Sequence, residues 1–313
     1  MPQKKTPSVD DYIESLQING LEGRMLSYPA PAGKSRRILA IYGHHGMLER
    51  WWPLIENLHD YGAVTMPDLP GFGGMESFYK IGQRPSIDAY ADYLAAFVKM
   101  RYRRGKFTIV AISFGFVVVT RMLQKYPDLA KQVDLVISLA GFVRYDDFSF
   151  SRRLRLFYIS LGWLLSCRPL SFVTRHGLFS GPMIHWMYSI APASKQRVRA
   201  MTPEAAKRMI DMEVRLYQAN DMRTHWFTTS LFLRVDNCRY GSVNLPAWHV
   251  TNSHDFYFDN DIVEQHMQVI FSEYHRVIST SKNHTPGVAA NKKENAVMLP
   301  RRIRQVLNQT PER

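Results

Sequence analysis

Cysteine is nearly absent from this chain: Cys167 and Cys238 are the only two in 313 residues. Two thiols make no disulfide framework, and no Cys/His spacing builds a structural zinc site. Both read as inert buried thiols in a reducing compartment. The N-terminal run lacks the apolar core of a signal peptide, which leads to the expectation of a cytoplasmic protein. The apolar segment 156–165 spans about ten residues, against the roughly 20 that a membrane-crossing helix requires. There is no internal repeat and no low-complexity stretch. Acidic residues are in deficit, 27 against 40 lysines and arginines, for a formal charge of +13. Such a surface attracts anions of any kind. No nucleic-acid recognition motif accompanies the charge, and the arginines are mixed with long apolar stretches, so nucleic acid is not an expected partner. Residues 1–10 and 283–295 are the segments expected to be flexible.

What the chain does hold is enough apolar residue, 46%, to bury a large core. Residues 107–120 read as a buried strand that turns sharply at Ser113 and continues as a helix. A serine in such a turn stands clear of the sheet, and the turn tolerates only small residues two positions to either side. Ala111 and Gly115 meet that demand. The runs 37–42 and 63–66 are two further strands. The first ends in Gly43-His44-His45-Gly46, the second in a loop that carries Asp68, Pro70, Gly71 and Gly73. That second loop lacks the Gly-Lys-Ser/Thr ending of a phosphate loop, and Asp68 reads as structural. With a strand at 133–139, strands alternate with helical stretches. That order predicts an α/β fold with a mostly parallel central sheet, flanked by helices, whose site lies at the carboxyl ends of the strands.

At these residues the chain resembles the α/β-hydrolase superfamily. The His45-Gly46 loop, the Asp68–Gly73 loop, the Ser113 turn and a late Asp and His carry the resemblance, over residues 1–144 and 236–313. It implies a serine hydrolase acting on a carboxylic ester, small or lipid-like, through an acyl-enzyme and without a cofactor or metal. Carbon–carbon bond hydrolysis, acyl transfer, or a non-catalytic binding module on the same fold are the alternatives. Ser113 is then the nucleophile. Chain order puts the acid and the base in the C-terminal third. Asp255 follows the strand 245–253 and is the expected acid; Asp259 and Asp261 lie close enough to compete, and Asp146 or Asp147 stays open as an acid after the strand that follows the serine. His284 follows the expected last strand, 277–281, where relatives carry Gly-His-x-Pro, with Asn283 in place of the glycine. His266 and His275 fall in an amphipathic stretch and read as helix-surface residues. The backbone N–H groups of Met47 and Phe114 are the expected oxyanion donors. His45, Trp51, Leu161 and Trp163 are the expected pocket wall, and one of His44 and His45 is expected to brace its loop.

Between residues 145 and 235 the alternation stops and helical patterning takes over, where the superfamily inserts a cap. Thr202-Pro203-Glu204 is a helix start with Thr as N-cap. This segment is also the basic part of the chain, with 13 Arg or Lys against 6 Asp or Glu. Segment 156–165, flanked by Arg152, Arg153, Arg155, Arg168 and Arg175, is expected to roof the acyl pocket. Contact with an anionic membrane surface is the alternative reading.

Overall fold

A computed structural model describes residues 7–190, 201–253, 255–281, 284 and 286–309. The chain enters through a hairpin that the sequence reading passed over. Strands β1 (Ile13–Ile18) and β2 (Leu21–Tyr28) pair antiparallel around Asn19-Gly20, both at positive φ (52° and 78°). Asn-Gly is the residue pair that such a tight turn favours. Strands β3 (Arg36–Ile41), β4 (Gly62–Pro67), β5 (Phe107–Ile112), β6 (Val133–Leu139), β7 (Val243–Asn252) and β8 (Phe271–Ser279) follow. The eight lie in the order β1-β2-β4-β3-β5-β6-β7-β8; β2 pairs antiparallel with both β1 and β4, and every other pair is parallel. Every residue of β5 is buried, as expected for a central strand covered on both faces.

Helices α1 (Leu48–His59), α2 (Ile87–Arg101) and α3 (Phe114–Lys125) connect the first parallel strands, and α4 (Pro127–Ala130) leads into β6. Between β6 and β7 the chain runs through α5 (Arg152–Leu165), α6 (Arg168–Val173), a π-helical turn (Thr174–Leu178), α7 (Gly181–Ile190), α8 (Pro203–Ala219) and α9 (Met222–Phe232). Helix α8 begins as its sequence signals, the Thr202 hydroxyl accepting from the N–H of Ala205. Helices α10 (Asn260–Ile270), α11 (Lys292–Asn295) and α12 (Arg301–Asn308) complete the fold. Among the described residues, no single helix is long and apolar enough to cross a membrane.

Three sequence expectations need correction. The last strand begins at Phe271, not Val277, so His275 sits on β8 rather than on a helix. Its side chain stacks on Trp248 of the neighbouring strand, 4.1 Å between centroids. Cys167 is exposed, not buried; Cys238 is half-buried, and burial pushes its thiol up to about 11. Of the segments expected to be flexible, residues 9–12 form a helical turn and 292–295 a short helix. Residues 1–6, 283 and 285 lie outside the described residues, as does His254.

Candidate active site

Ser113 sits between β5 and α3 with φ 47° and ψ −120°, a conformation a non-glycine residue holds only when its surroundings force it. The forcing contacts are local. A Cβ on Gly115 would run into the carbonyl oxygen of Tyr42, and the N–H of Ser113 donates to the Leu139 carbonyl at 3.0 Å. The helix therefore starts hard against the end of β3, and the serine is left at the rim of the sheet. Phe114 is the first residue of α3, so its N–H has no intrahelical acceptor.

Two loops at the same end of the sheet meet the serine. After β7, Asp255 turns back on itself and accepts from the N–H groups of Tyr257 (2.8 Å) and Phe258 (3.3 Å). Beyond β8, His284 places Nδ1 at 2.8 Å from Asp255 Oδ2 and Nε2 at 3.4 Å from Ser113 Oγ. The Asp255 side chain is 1% exposed. Burial alone would raise its pKa; the hydrogen bond and charge of His284 and the two backbone donors outweigh it and hold the carboxylate below its usual range. Tyr257 and Phe258 meet the imidazole edge-on, at 5.2 and 5.1 Å. Asp255, His284 and Ser113 form one continuous chain of contacts.

The competing acids are engaged elsewhere. Buried Asp147 accepts from the N–H groups of Val143 (2.7 Å) and Arg144 (2.9 Å) and pairs with His266 Nδ1 at 2.6 Å, which binds the loop after β6 to α10. His266 is thus a brace, not a surface residue, and Asp147 raises its pKa. Asp146 pairs with Arg144, Asp261 with Arg276, and Asp259 caps α10. Asp146, Asp147 and His266 lie close enough to share a cation, but the Arg144 guanidinium, 3.1 Å from His266 Nε2, already supplies the positive charge there.

Ser113 and His284 lie at the wall of a cavity of about 820 Å³. Aromatic rings dominate its lining: Phe142, Phe148, Phe150, Phe232 and Phe258 form a connected set with centroids 4.8–6.1 Å apart. Arg50 and Glu213 are the charged residues of the wall. Of the residues expected in the pocket wall, Trp51 lines the cavity, whereas His45, Leu161 and Trp163 do not. Helix α5 contributes Tyr158 instead; Trp163, five residues on, points roughly 140° away around the helix and is 65% exposed. His45 (φ 56°) is off the cavity wall, packs tilted against Tyr217 at 4.4 Å and accepts at Nδ1 from the Asn220 amide at 2.9 Å.

The expected oxyanion donor Met47 is also off the cavity. It is the N-cap of α1, whereas Gly43 and His44 line the wall. A Cβ on Gly43 would stand 3.1 Å from Ser113 Cβ and 3.7 Å from the Phe114 nitrogen. The glycine that meets the serine is the first of the Gly-His-His-Gly run, not the second. His44 holds this loop to the insertion, its Nε2 donating to the His225 carbonyl (3.1 Å) and the Thr228 hydroxyl (2.9 Å). Its ring is enclosed by Phe72, Phe114, Phe232 and His225, and burial lowers its pKa to about 4. The same cause depresses His45 and His225, so the trio is neutral. Asp68 is structural: buried, it takes the Tyr42 hydroxyl at 2.8 Å and Arg24 Nε at 3.0 Å, and so fixes β3, β2 and its own loop together.

No family model matches the chain, and no curated protein does. Solved structures do. An enol-lactonase from Burkholderia xenovorans superposes with a TM-score of 0.65 at 11% identity, covering 95% of this chain and 100% of the other. A thermophilic esterase from Thermogutta terrifontis gives 0.59 at 17%, with 95% of each chain covered. An alpha/beta hydrolase enzyme from a Medee basin deep-sea metagenome gives 0.65 at 12%, with 96% and 99% covered. Likeness at such identities speaks for the fold and leaves the chemistry to the residues. Together with the sheet order and the strand-turn-helix at Ser113, it establishes that this chain has the fold of the α/β-hydrolase superfamily.

Proposed function

We propose that the protein is a serine hydrolase that cleaves carboxylic esters with an apolar acyl part. The observation that carries this reading is the Asp255–His284–Ser113 chain, with contacts of 2.8 and 3.4 Å, at the wall of an aromatic cavity. A serine hydroxyl at neutral pH is a poor nucleophile unless a base removes its proton as it attacks. His284 Nε2 takes that proton while Oγ bonds to the ester carbonyl carbon. Asp255 fixes the imidazole tautomer and stabilises the imidazolium without itself becoming protonated. The tetrahedral oxyanion is received by the N–H of Phe114 at the helix start and, in place of Met47, by the N–H of His44. Collapse of the intermediate breaks the bond to the alcohol, which leaves with the proton from His284. Water, activated by the same imidazole, then attacks the acyl-serine and regenerates Oγ–H. The phenylalanine-rich wall takes the acyl chain.

A fluorophosphonate probe tests this directly. Labelling of the folded wild type on Ser113, absent from Ser113→Ala, supports the reading. Folded protein that stays unlabelled and turns over no p-nitrophenyl ester refutes it.

A further inference from the structure

The insertion between β6 and β7 exposes far more apolar surface than a water-facing helical layer needs. Helix α5 and the helical run 168–178 are apolar and meet at 91°, so together they make a bent element that cannot thread straight through a bilayer. Its side chains face outward: Phe157 is 58% exposed, Trp163 65%, Phe172 64%, Val173 60% and, on α7, Trp186 55%. Monomeric soluble proteins rarely expose contiguous apolar patches beyond a few hundred Å². The face adjoins the cavity, because Tyr158 belongs to α5 and lines the wall, as does Phe256, which is 81% exposed at the rim.

Charge says what covers this face. Residues 148–203 contain no Asp or Glu and eight Arg or Lys. Arg152, Arg153 and Arg168 are exposed, and their side chains make no hydrogen bond or ion pair among the described residues. A second copy of the chain, docked about a two-fold axis, would set this basic patch against itself, with no Asp or Glu in residues 148–203 to compensate. A nucleic acid would answer the arginines but leave the tryptophans and phenylalanines unburied. An anionic bilayer answers both. Aromatic and aliphatic side chains enter the boundary between headgroups and acyl chains while arginines meet lipid phosphates and carboxylates.

We propose that the α5–α7 face docks on the surface of an anionic lipid bilayer and lies in the interface without crossing it. The cavity rim then stands next to the lipid. The inference does not depend on the hydrolase reading, since it concerns binding and is tested without turnover.

The experiment is co-sedimentation of the full chain, and of Ser113→Ala, with phosphatidylcholine vesicles lacking or containing phosphatidylserine, at low and high salt. We expect binding only with phosphatidylserine, reversed by salt. Each of Arg152→Gln, Arg153→Gln and Arg168→Gln should weaken it roughly fivefold. The double variant Trp163→Ser/Phe172→Ser, whose side chains are exposed and so leave the thermal melt unchanged, should abolish it. Absence of binding, or equal binding to neutral and anionic vesicles, overturns the proposal. So does concentration-dependent self-association in analytical ultracentrifugation that this double variant removes, because the face then belongs to a second copy.

Discussion

Helices α3 and α5 are comparable in length and both rich in large apolar residues, yet α3 buries nine of its twelve residues and α5 only Gly162 of fourteen. The difference lies in what surrounds them. Helix α3 is laid on the sheet, covered by α2, and held at its start by the close contact of Gly115 with the end of β3. Helix α5 packs mainly on α9, where Gly162 lies against the backbone of Trp226 and Ser230, and among the described residues its outward side meets no second layer. Apolar composition states a helix's demand for cover; it does not state where the cover comes from. In this molecule the sheet-borne half meets that demand internally and the insertion does not.

The largest effect that separates the two halves should be on turnover of a soluble p-nitrophenyl ester. Asp255→Asn, in a loop of the sheet, should lower kcat by roughly 10³ to 10⁴, as loss of the imidazole's orienting partner does. Trp163→Ser on α5 should change it less than about twofold, because that side chain is off the cavity. Asp147→Asn should keep kcat within about tenfold but lower the stability by about 1–3 kcal/mol through its buried pair with His266. A crippling Asp147→Asn beside a near-silent Asp255→Asn would move the acid to the other loop.

Smaller, and read by denaturant unfolding, is the packing contrast. Phe116→Ala, at a side chain fully enclosed in α3, should cost about 3–5 kcal/mol. Trp163→Ser should stay within about 0.5 kcal/mol. Similar losses at the two sites would mean that α5 is covered after all.

The smallest effect concerns the junction of the halves, where His44 of the β3 loop packs on His225 of α9. Both are kept neutral by burial, His44 down to about 4. A histidine whose folded pKa is depressed contributes stability above its unfolded value of about 6.5, and that contribution is lost as the unfolded chain takes up protons the folded one refuses. Melting temperature should therefore hold above about pH 6.5 and fall between there and pH 4. His225→Gln should shallow that fall, and an unchanged slope would place the acid sensitivity elsewhere.

Much of the sheet and part of the site were legible in the sequence for local reasons. The strand-turn-helix at 107–120 writes its own geometry, since only small residues at 111 and 115 permit a serine turn there. Strand 133–139 lies where its apolar run ends. The hairpin β1–β2 is also written, in Asn19-Gly20, but its half-polar strands signal more weakly than the apolar runs of the central sheet. What stayed ambiguous were choices between like residues. Five aspartates were candidates to serve His284, and the loop donor was expected at Met47, past the second glycine of Gly43-His44-His45-Gly46, whereas the first glycine meets the serine.

Those choices are decided by distances between segments remote in the chain. Asp255 reaches His284 because β7 and β8 are parallel neighbours and release their loops on the same side, while Asp147 is taken by a histidine of α10. Gly43 rather than Gly46 meets Ser113 because β3 pairs with β5 and ends at Ile41, level with Ala111. The same holds for α5, whose sequence established that it is apolar and arginine-flanked. That it turns those residues outward was settled only when α9 met its single glycine, because burial belongs to the packing of a whole layer and not to any segment alone.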